Sequence, residues 1–455
     1  MFQIGFARVD ITPPLGNPLA GYPKTRYADG MLDPLAGYPK TRYADGMLDP
    51  LELNAIAATD GETTVLLITG DFIYITEMAA TPIRKRISEK TGVPANRILL
   101  HGLHQHTTVR IGNRETVAMA HTVTDTAYLD LVYRKFCDVS LMAMDDMAEA
   151  TLSVAEKETA EPISFIRRYR MKDGSAKTNP GCLNPDVVAP IGEADNTVRL
   201  ARFHREGKKD IALVNFQTHP DVIGGNKYSA DWPGFVRRFT EQDIPDTHCL
   251  LINGPQGDTN HVNVFKPAIK EPKEKYANSR RMGRIITDAV VELWDKTRPM
   301  KSEKVFGELD MVYVPTNIQG LDRIEEMKQK KKDYEAGLLG KLSMGDRSEI
   351  SRICELKDET LFRKVPVTVL AIGDLALVGF GGEAFTRYAK VVREAVPSLY
   401  VMALCCANGG QGYMPDQTAY AEGGYGVSNS RFSPEVAEMT QSSAKSMMEE
   451  YLAQR

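Results

Sequence analysis

Short apolar runs that break off abruptly into polar residues recur along this chain, and they restrict its fold more than any other feature. Residues 64–69 (TVLLIT) run into Gly70 and Asp71, residues 98–100 into His101, Gly102, Leu103, His104, Gln105 and His106, and residues 211–216 into Gln217, Thr218, His219 and Pro220. Residues 250–252 give way to a turn that ends at Gly257 and Asp258. Residues 375–380 lead to Gly381, Gly382 and Glu383, and residues 401–406 to Ala407 and Asn408. Runs this short and this continuously apolar fit strands covered on both faces. Amphipathic helical stretches, for example 81–91 and 279–297, lie between several of them. The expectation is an α/β chain of layered mixed or parallel sheets with flanking helices, its functional groups gathered at the carboxyl ends of strands, where open α/β sheets place their sites.

The 455 residues are read as a single catalytic domain, 1–455. Basic residues (56) nearly balance acidic ones (60) and are spread without long blocks, so the formal charge of −4 offers no footprint for nucleic acid or anionic membrane. A small-molecule substrate is the expected partner, and a homo-oligomer stays open. The amino terminus lacks the basic start and apolar stretch of a secretory signal, and no apolar run approaches the roughly 20 residues of a membrane span. The six cysteines are too sparse for a disulfide scaffold, and the pair Cys405-Cys406 lies in an apolar run, as buried reduced thiols do. A cytoplasmic protein is expected.

Two segments interrupt this plan. LAGYPKTRYADGMLDP at 19–34 recurs without change at 35–50, a 16-residue period that fits no solenoid. One copy is expected to pack natively and the other to loop out. Residues 322–364 form a charged helical insertion, read as a solvated helical hairpin or, alternatively, a lid over the site. The last helix is expected to begin with Ser433 as N-cap and Pro434 at its first position, with Val436, Met439, Ser443, Met447 and Tyr451 as its packing stripe.

Among the candidate chemical groups, His104 and His106 lie two residues apart at the end of a strand and so can face one centre, while His101 faces elsewhere or lies deeper. Neutral imidazole is the common zinc ligand, and a hydrolytic site needs three or four protein ligands with a position left for water. His219 follows a strand-like run. Glu383 follows two glycines at a helix start, where capping competes with catalysis as its role. Asp71 and Asp258 follow glycines, where turn-forming aspartates are common.

The order of these features, from the opening ARVDITPPLG (Ala7 onward) through LAGY and DGMLDPL to Tyr425, resembles the catalytic domain of the neutral/alkaline non-lysosomal ceramidases. The family's HTH motif is matched by His104-Gln105-His106, its second zinc histidine by Thr218-His219-Pro220, and its acidic ligand by Gly382-Glu383-Ala384-Phe385. Its tyrosine region is matched by Gly412-Tyr413-Met414-Pro415 and by Tyr425, twelve residues on. The resemblance implies one zinc per chain, bound by His104, His219, Glu383 and Tyr413. It further implies that His106, Tyr425 and an arginine act on the substrate. That arginine is aligned to Arg167, with Arg168 a close competitor and a substrate-binding candidate beside Asp71 and Asp258. Thr107-Thr108 replace the serine and glycine that usually follow the motif, and no C-terminal immunoglobulin-like domain is expected.

These readings imply a zinc-dependent hydrolase that cleaves an N-acyl amide, ceramidase-like but acting on a smaller soluble substrate. Attack is expected from a zinc-activated water, with Arg167 and Tyr425 holding the carbonyl oxygen and His106 moving the proton. A zinc esterase or lactonase of small-molecule catabolism uses the same site, and a non-catalytic binding protein is the third reading.

Overall fold

The computed structural model of the chain describes residues 2–16, 18–19, 42–111, 126–269, 276–300, 304–340, 342, 344–356 and 361–455. Among these residues a nine-stranded mixed sheet forms the centre. Its principal strands are β1 (Gln3–Asp10), β2 (Glu52–Thr59), β3 (Thr64–Gly70), β4 (Ile98–Gly102), β5 (Ala148–Glu158), β6 (Thr197–Arg205), β7 (Asp210–Phe216) and β8 (Thr247–Asn253). They lie in the order β8-β7-β6-β5-β1-β2-β3-β4, and Arg298–Pro299 pairs alongside β5. A second, four-stranded sheet follows the chain order β9 (Val305–Pro315), β10 (Phe362–Ile372), β11 (Leu375–Phe380) and β12 (Tyr400–Leu404). The helices are α1 (Glu77–Thr91), α2 (Thr126–Asp145), α3 (Asp231–Asp243), α4 (Ala277–Leu293), α5 (Ile324–Glu335), α6 (Met344–Cys354), α7 (Arg387–Ala395), α8 (Gln417–Glu422), α9 (Tyr425–Ser428) and α10 (Val436–Ala453).

Within these two sheets parallel pairing is confined to β3–β4, β7–β8 and β11–β12, all at sheet edges. Parallel neighbours cannot be joined by a tight turn and need a crossover. Here α1, α3 and α7 supply it, giving three β-α-β units. Each unit ends two strands at the same rim, which is why six apolar runs of the sequence stop at chemically useful residues.

The layering explains the continuous apolar runs. One face of the main sheet (Phe6, Ile56, Leu67, Leu99, Leu213, Ile252) packs on Leu370, Leu377, Met402 and Leu404 of the second sheet. Its other face meets α1 and α2 through Ile68, Leu100, Ile83 and Phe136, and α3 and α4 through Val214, Leu251, Val236 and Ile286. The outer face of the second sheet (Val367, Val369, Val378, Val401) is covered by Tyr388 and Val392 of α7 and by Ala444, Met447 and Tyr451 of α10. The result is four layers, helix–sheet–sheet–helix, so strands of both sheets are buried on both sides. The α/β expectation, with mixed and parallel pairing and flanking helices, holds.

Local differences have identifiable causes. α10 begins at Val436, whose amide donates to the Ser433 carbonyl, so the Ser433-Pro434 turn precedes the helix instead of opening it. Its buried face passes through Thr440 and Ala444, leaving Ser443 to donate to Asp310 at 2.7 Å. The charged insertion forms the hairpin of α5 and α6 around Met327, Ile350, Ile353 and Leu356, and from Phe362 onward it already belongs to β10. Of the second 16-residue copy, residues 42–50 pack: Ala44 is buried, and Asp49 accepts from the Ser229 hydroxyl at 2.6 Å and the Ala230 amide at 2.8 Å. Leu19 apart, the first copy and the rest of the second lie outside the described residues, as does any test of which one loops out. Among the described residues, no helix is long and apolar enough to cross a membrane.

Candidate metal centre

The three crossover units bring their rims to one place. β4 stops at Gly102, and His104 follows in the left-handed region at φ 76°, its amide donating to the Phe72 carbonyl at 2.8 Å. That conformation is costly for a side-chain-bearing residue and persists only where surrounding contacts enforce it. Strand alternation is therefore not what aligns His104 with His106, because both lie beyond the strand. The turn does it: the two rings stand 5.1 Å apart, and each is about 5 Å from His219, at 4.8 Å and 5.2 Å. The ring nitrogens of His104, His106 and His219 form a candidate metal cluster, all within 4.8 Å of one another.

Hydrogen bonds fix which nitrogens face inward. His104 Nδ1 lies 2.7 Å from the Ile73 carbonyl and His219 Nδ1 3.2 Å from the Gln256 carbonyl. A carbonyl only accepts, so each Nδ1 carries the proton and each Nε2 presents a lone pair, the usual arrangement behind a metal-binding imidazole. Both Nε2 atoms point at Glu383 Oε2, at 3.4 Å from His104 and 3.7 Å from His219. His219 Nε2 and Glu383 Oε2 are buried and have no hydrogen-bond partner among the described residues. Two lone pairs and a carboxylate oxygen this close together can share a cation. Ligands held tetrahedrally at roughly 2.0–2.1 Å stand about 3.4 Å from one another, so this spacing fits a metal ion.

Electrostatics agrees. Burial alone would push the Glu383 carboxyl up, but His104, His219 and Arg167 outweigh it and hold the group well below the ordinary carboxylate range. Burial, reinforced by neighbouring charge, lowers His219 well below its ordinary value and His106 to about 3, so both are neutral near pH 7. His104 is raised: burial opposes a proton there, and Glu383 overrides it.

Glu383 and Tyr413 are register partners in a two-residue parallel ladder, Glu383–Ala384 against Tyr413–Met414. The loop at Gly257 packs directly on Glu383, where a Cβ would lie 2.3 Å from the Glu383 carbonyl oxygen. Tyr413 is buried, and its hydroxyl accepts from Arg167 Nη2 at 2.8 Å; the same nitrogen reaches the Gly257 carbonyl at 2.7 Å. Tyr425, opening α9, sets its ring 5.5 Å from that of Tyr413. His106 is partly exposed at the same rim. The structure thus gathers His104, His106, His219, Glu383, Tyr413, Arg167 and Tyr425.

Arg168, Asp71 and Asp258 point elsewhere. Successive residues of extended chain face opposite ways, so Arg168 turns from the centre to Glu422 (3.2 Å) and the Gly423 carbonyl (3.0 Å), lying over the Phe385 ring. Asp71 is fully buried in a two-pronged ion pair with Arg237, at 3.1 Å and 2.7 Å, and accepts from Gln105 Nε2 at 2.6 Å. Asp258 accepts the amide and hydroxyl of Thr386, both at 2.7 Å, and so fixes the loop after Glu383. His101 lies deeper, its Nε2 accepting the Asn253 amide at 3.0 Å.

The sequence reading passed over Asp221 and its partner His261, 3.2 Å apart. Burial would raise the Asp221 carboxyl, but His261, His219 and His106 hold it far below its usual range. Its place two residues after His219, past a proline, was the available signal. Cys406, with Sγ 3.6 Å from His104 Nδ1, was also passed over as a neighbour of the centre.

The fold is similar to that of the neutral ceramidase from Pseudomonas aeruginosa, with a TM-score of 0.73 over 98% of this chain and 74% of that one, at 15% sequence identity. A ceramidase complexed with C2 matches with a TM-score of 0.70 over 99% of this chain and 75% of that chain, again at 15% identity. No protein-family model matches the sequence, and no curated protein matches it significantly. At this identity the likeness is one of architecture: the chain has a neutral ceramidase-like fold.

Proposed function

We propose that this chain is a zinc-dependent hydrolase of N-acyl amides, with one zinc per chain. The observation that carries the reading is the convergence of His104 Nε2 and His219 Nε2 on Glu383 Oε2, in a fold similar to one that a ceramidase uses. Imidazole and carboxylate together suit zinc, and Tyr413, beside Glu383 in the ladder, is the proposed fourth ligand. A zinc ion bound there would act as a Lewis acid and lower the pKa of water.

The chain's own residues supply the rest. Arg167 carries a permanent charge anchored on Tyr413 and Gly257, where it can hold a carbonyl oxygen as negative charge develops. Tyr425 stands beside it as a hydroxyl donor. His106, neutral and partly exposed, takes a proton at an imidazole nitrogen and returns it to the leaving nitrogen. His106→Ala is expected to keep its zinc and to lose about 10²–10⁴-fold in turnover, which metal analysis and steady-state rates on the same preparation measure. Equal loss of metal would make His106 a ligand instead. Gly257→Ala forces the Glu383 backbone away and is expected to weaken zinc binding, as a competition titration with a chelator would read.

The substrate is proposed to be smaller and more soluble than ceramide. An ester or lactone is the second reading, since the same charge-stabilising groups serve it. Screening N-acyl amides against matched esters and lactones decides between them by kcat/KM. A non-catalytic binding protein is third, and the full set of ligand types at the centre speaks against it. All six cysteines are free, which supports a reducing, cytoplasmic setting.

A further inference from the structure

The two histidine rims lie toward opposite ends of the main sheet: β4, which leads to His104, is one edge strand, and β7, which leads to His219, neighbours the other edge strand, β8. No ladder bond therefore joins them directly. Asn253, the last residue of β8, crosses the gap. Its backbone amide donates to His101 Nε2 at 3.0 Å. Its side chain donates through Nδ2 to the Leu103 carbonyl at 3.3 Å and accepts the Thr218 amide on Oδ1 at 3.4 Å. Its carbonyl accepts the Cys405 amide at 3.2 Å, and the next amide, that of Cys406, donates to the Gly382 carbonyl at 3.0 Å. Leu103, Thr218 and Gly382 are the residues immediately before His104, His219 and Glu383. One fully buried residue thus holds the chain just ahead of two candidate ligands directly, and ahead of the third through Cys405-Cys406.

We propose that Asn253 is a positioning residue that sets the distance between the His104 and His219 imidazoles. Its side chain satisfies both contacts in one orientation only: Leu103 offers a carbonyl, which accepts, and Thr218 an amide, which donates. An apolar side chain serves neither, and a carboxylate serves only the second. The contact to Leu103 also fixes the peptide that joins it to His104, whose own N–H is held by the Phe72 carbonyl at 2.8 Å. With both sides of that peptide bound, the left-handed turn at His104 starts from a fixed plane. That the two imidazoles hold zinc rests on the proposed function; their spacing in the metal-free chain does not.

The test uses the full chain with its histidines labelled with ¹³C at Cε1, first without metal, in the wild type and in Asn253→Ala and Asn253→Asp. The wild type is expected to show an NOE between the His104 and His219 rings, whose centroids stand 4.8 Å apart, and both variants are expected to lose it. Asn253→Asp keeps the shape of the side chain and the acceptor for Thr218, so it decides the matter if the alanine variant does not fold. An NOE missing from the wild type, or unchanged in a folded variant, overturns the positioning role. Neither result involves zinc or substrate, so that failure is separate from failure of the hydrolase reading. Zinc competed against a chelator is then expected to bind about tenfold more weakly to both variants, the low end of the loss when a group that holds a metal ligand in place is removed. A lost NOE with unchanged zinc affinity overturns its consequence for the centre, and a lower melting temperature with both readouts unchanged makes Asn253 structural only.

Discussion

Asp71→Ala lowers the unfolding free energy by about 3–5 kcal/mol, the cost of stranding a buried charge. Arg237 is 1% exposed, and Asp71 takes both ends of its guanidinium, leaving Glu52 as its remaining carboxylate in contact. Removing Asp71 also takes the acceptor from Gln105, which lies between His104 and His106, and from the Glu52 amide. The change therefore loosens the rim that carries two of the candidate histidines. Replacing both partners, as Asp71→Leu with Arg237→Met, is expected to recover much of the loss because no charge is then stranded. Urea unfolding of the single and double variants reads both effects. A single variant within about 1 kcal/mol of wild type would show that water reaches and solvates Arg237.

The second large effect separates two adjacent arginines. Arg167→Ala is expected to reduce kcat about 10²–10³-fold, the usual loss for one group that stabilises developing charge, while zinc stays bound. Arg167→Lys restores little, because a lysine ammonium is a point charge without the planar fork that reaches Tyr413 and Gly257 together. Arg168→Ala leaves Glu422 with Arg170 as its remaining ion-pair partner and uncovers Phe385, so its effect falls on stability and on the α8 segment. Steady-state rates for the three variants, each with its metal content, test the assignment. Comparable rate losses for Arg167→Ala and Arg168→Ala would contradict it.

The architecture was legible because layering leaves a direct trace in composition. Strands packed between a helix layer and a second sheet have no solvent face, so they read as continuous apolar runs, and the crossover helices read as the amphipathic stretches between them. The convergence of His104, His219 and Glu383 was legible only as three separate strand ends, since nothing local says that three crossover units share a rim. His104 and His106 were paired for a reason the structure replaces, a left-handed turn in place of strand alternation. Asp71 and Asp258 followed glycines just as site residues do. Their partners Arg237 and Thr386 stand 166 and 128 residues away in the chain, a separation that local pattern cannot bridge.

The central claim is that His104 and His219 hold a metal against Glu383. Elemental analysis of the purified chain beside His104→Ala and His219→Ala tests it most directly. The account predicts about one zinc per chain in the wild type and loss of it in both variants, as expected when either of two imidazole ligands is removed. A wild-type chain without metal, or metal that persists in both variants, would contradict it and leave the binding-protein reading in front.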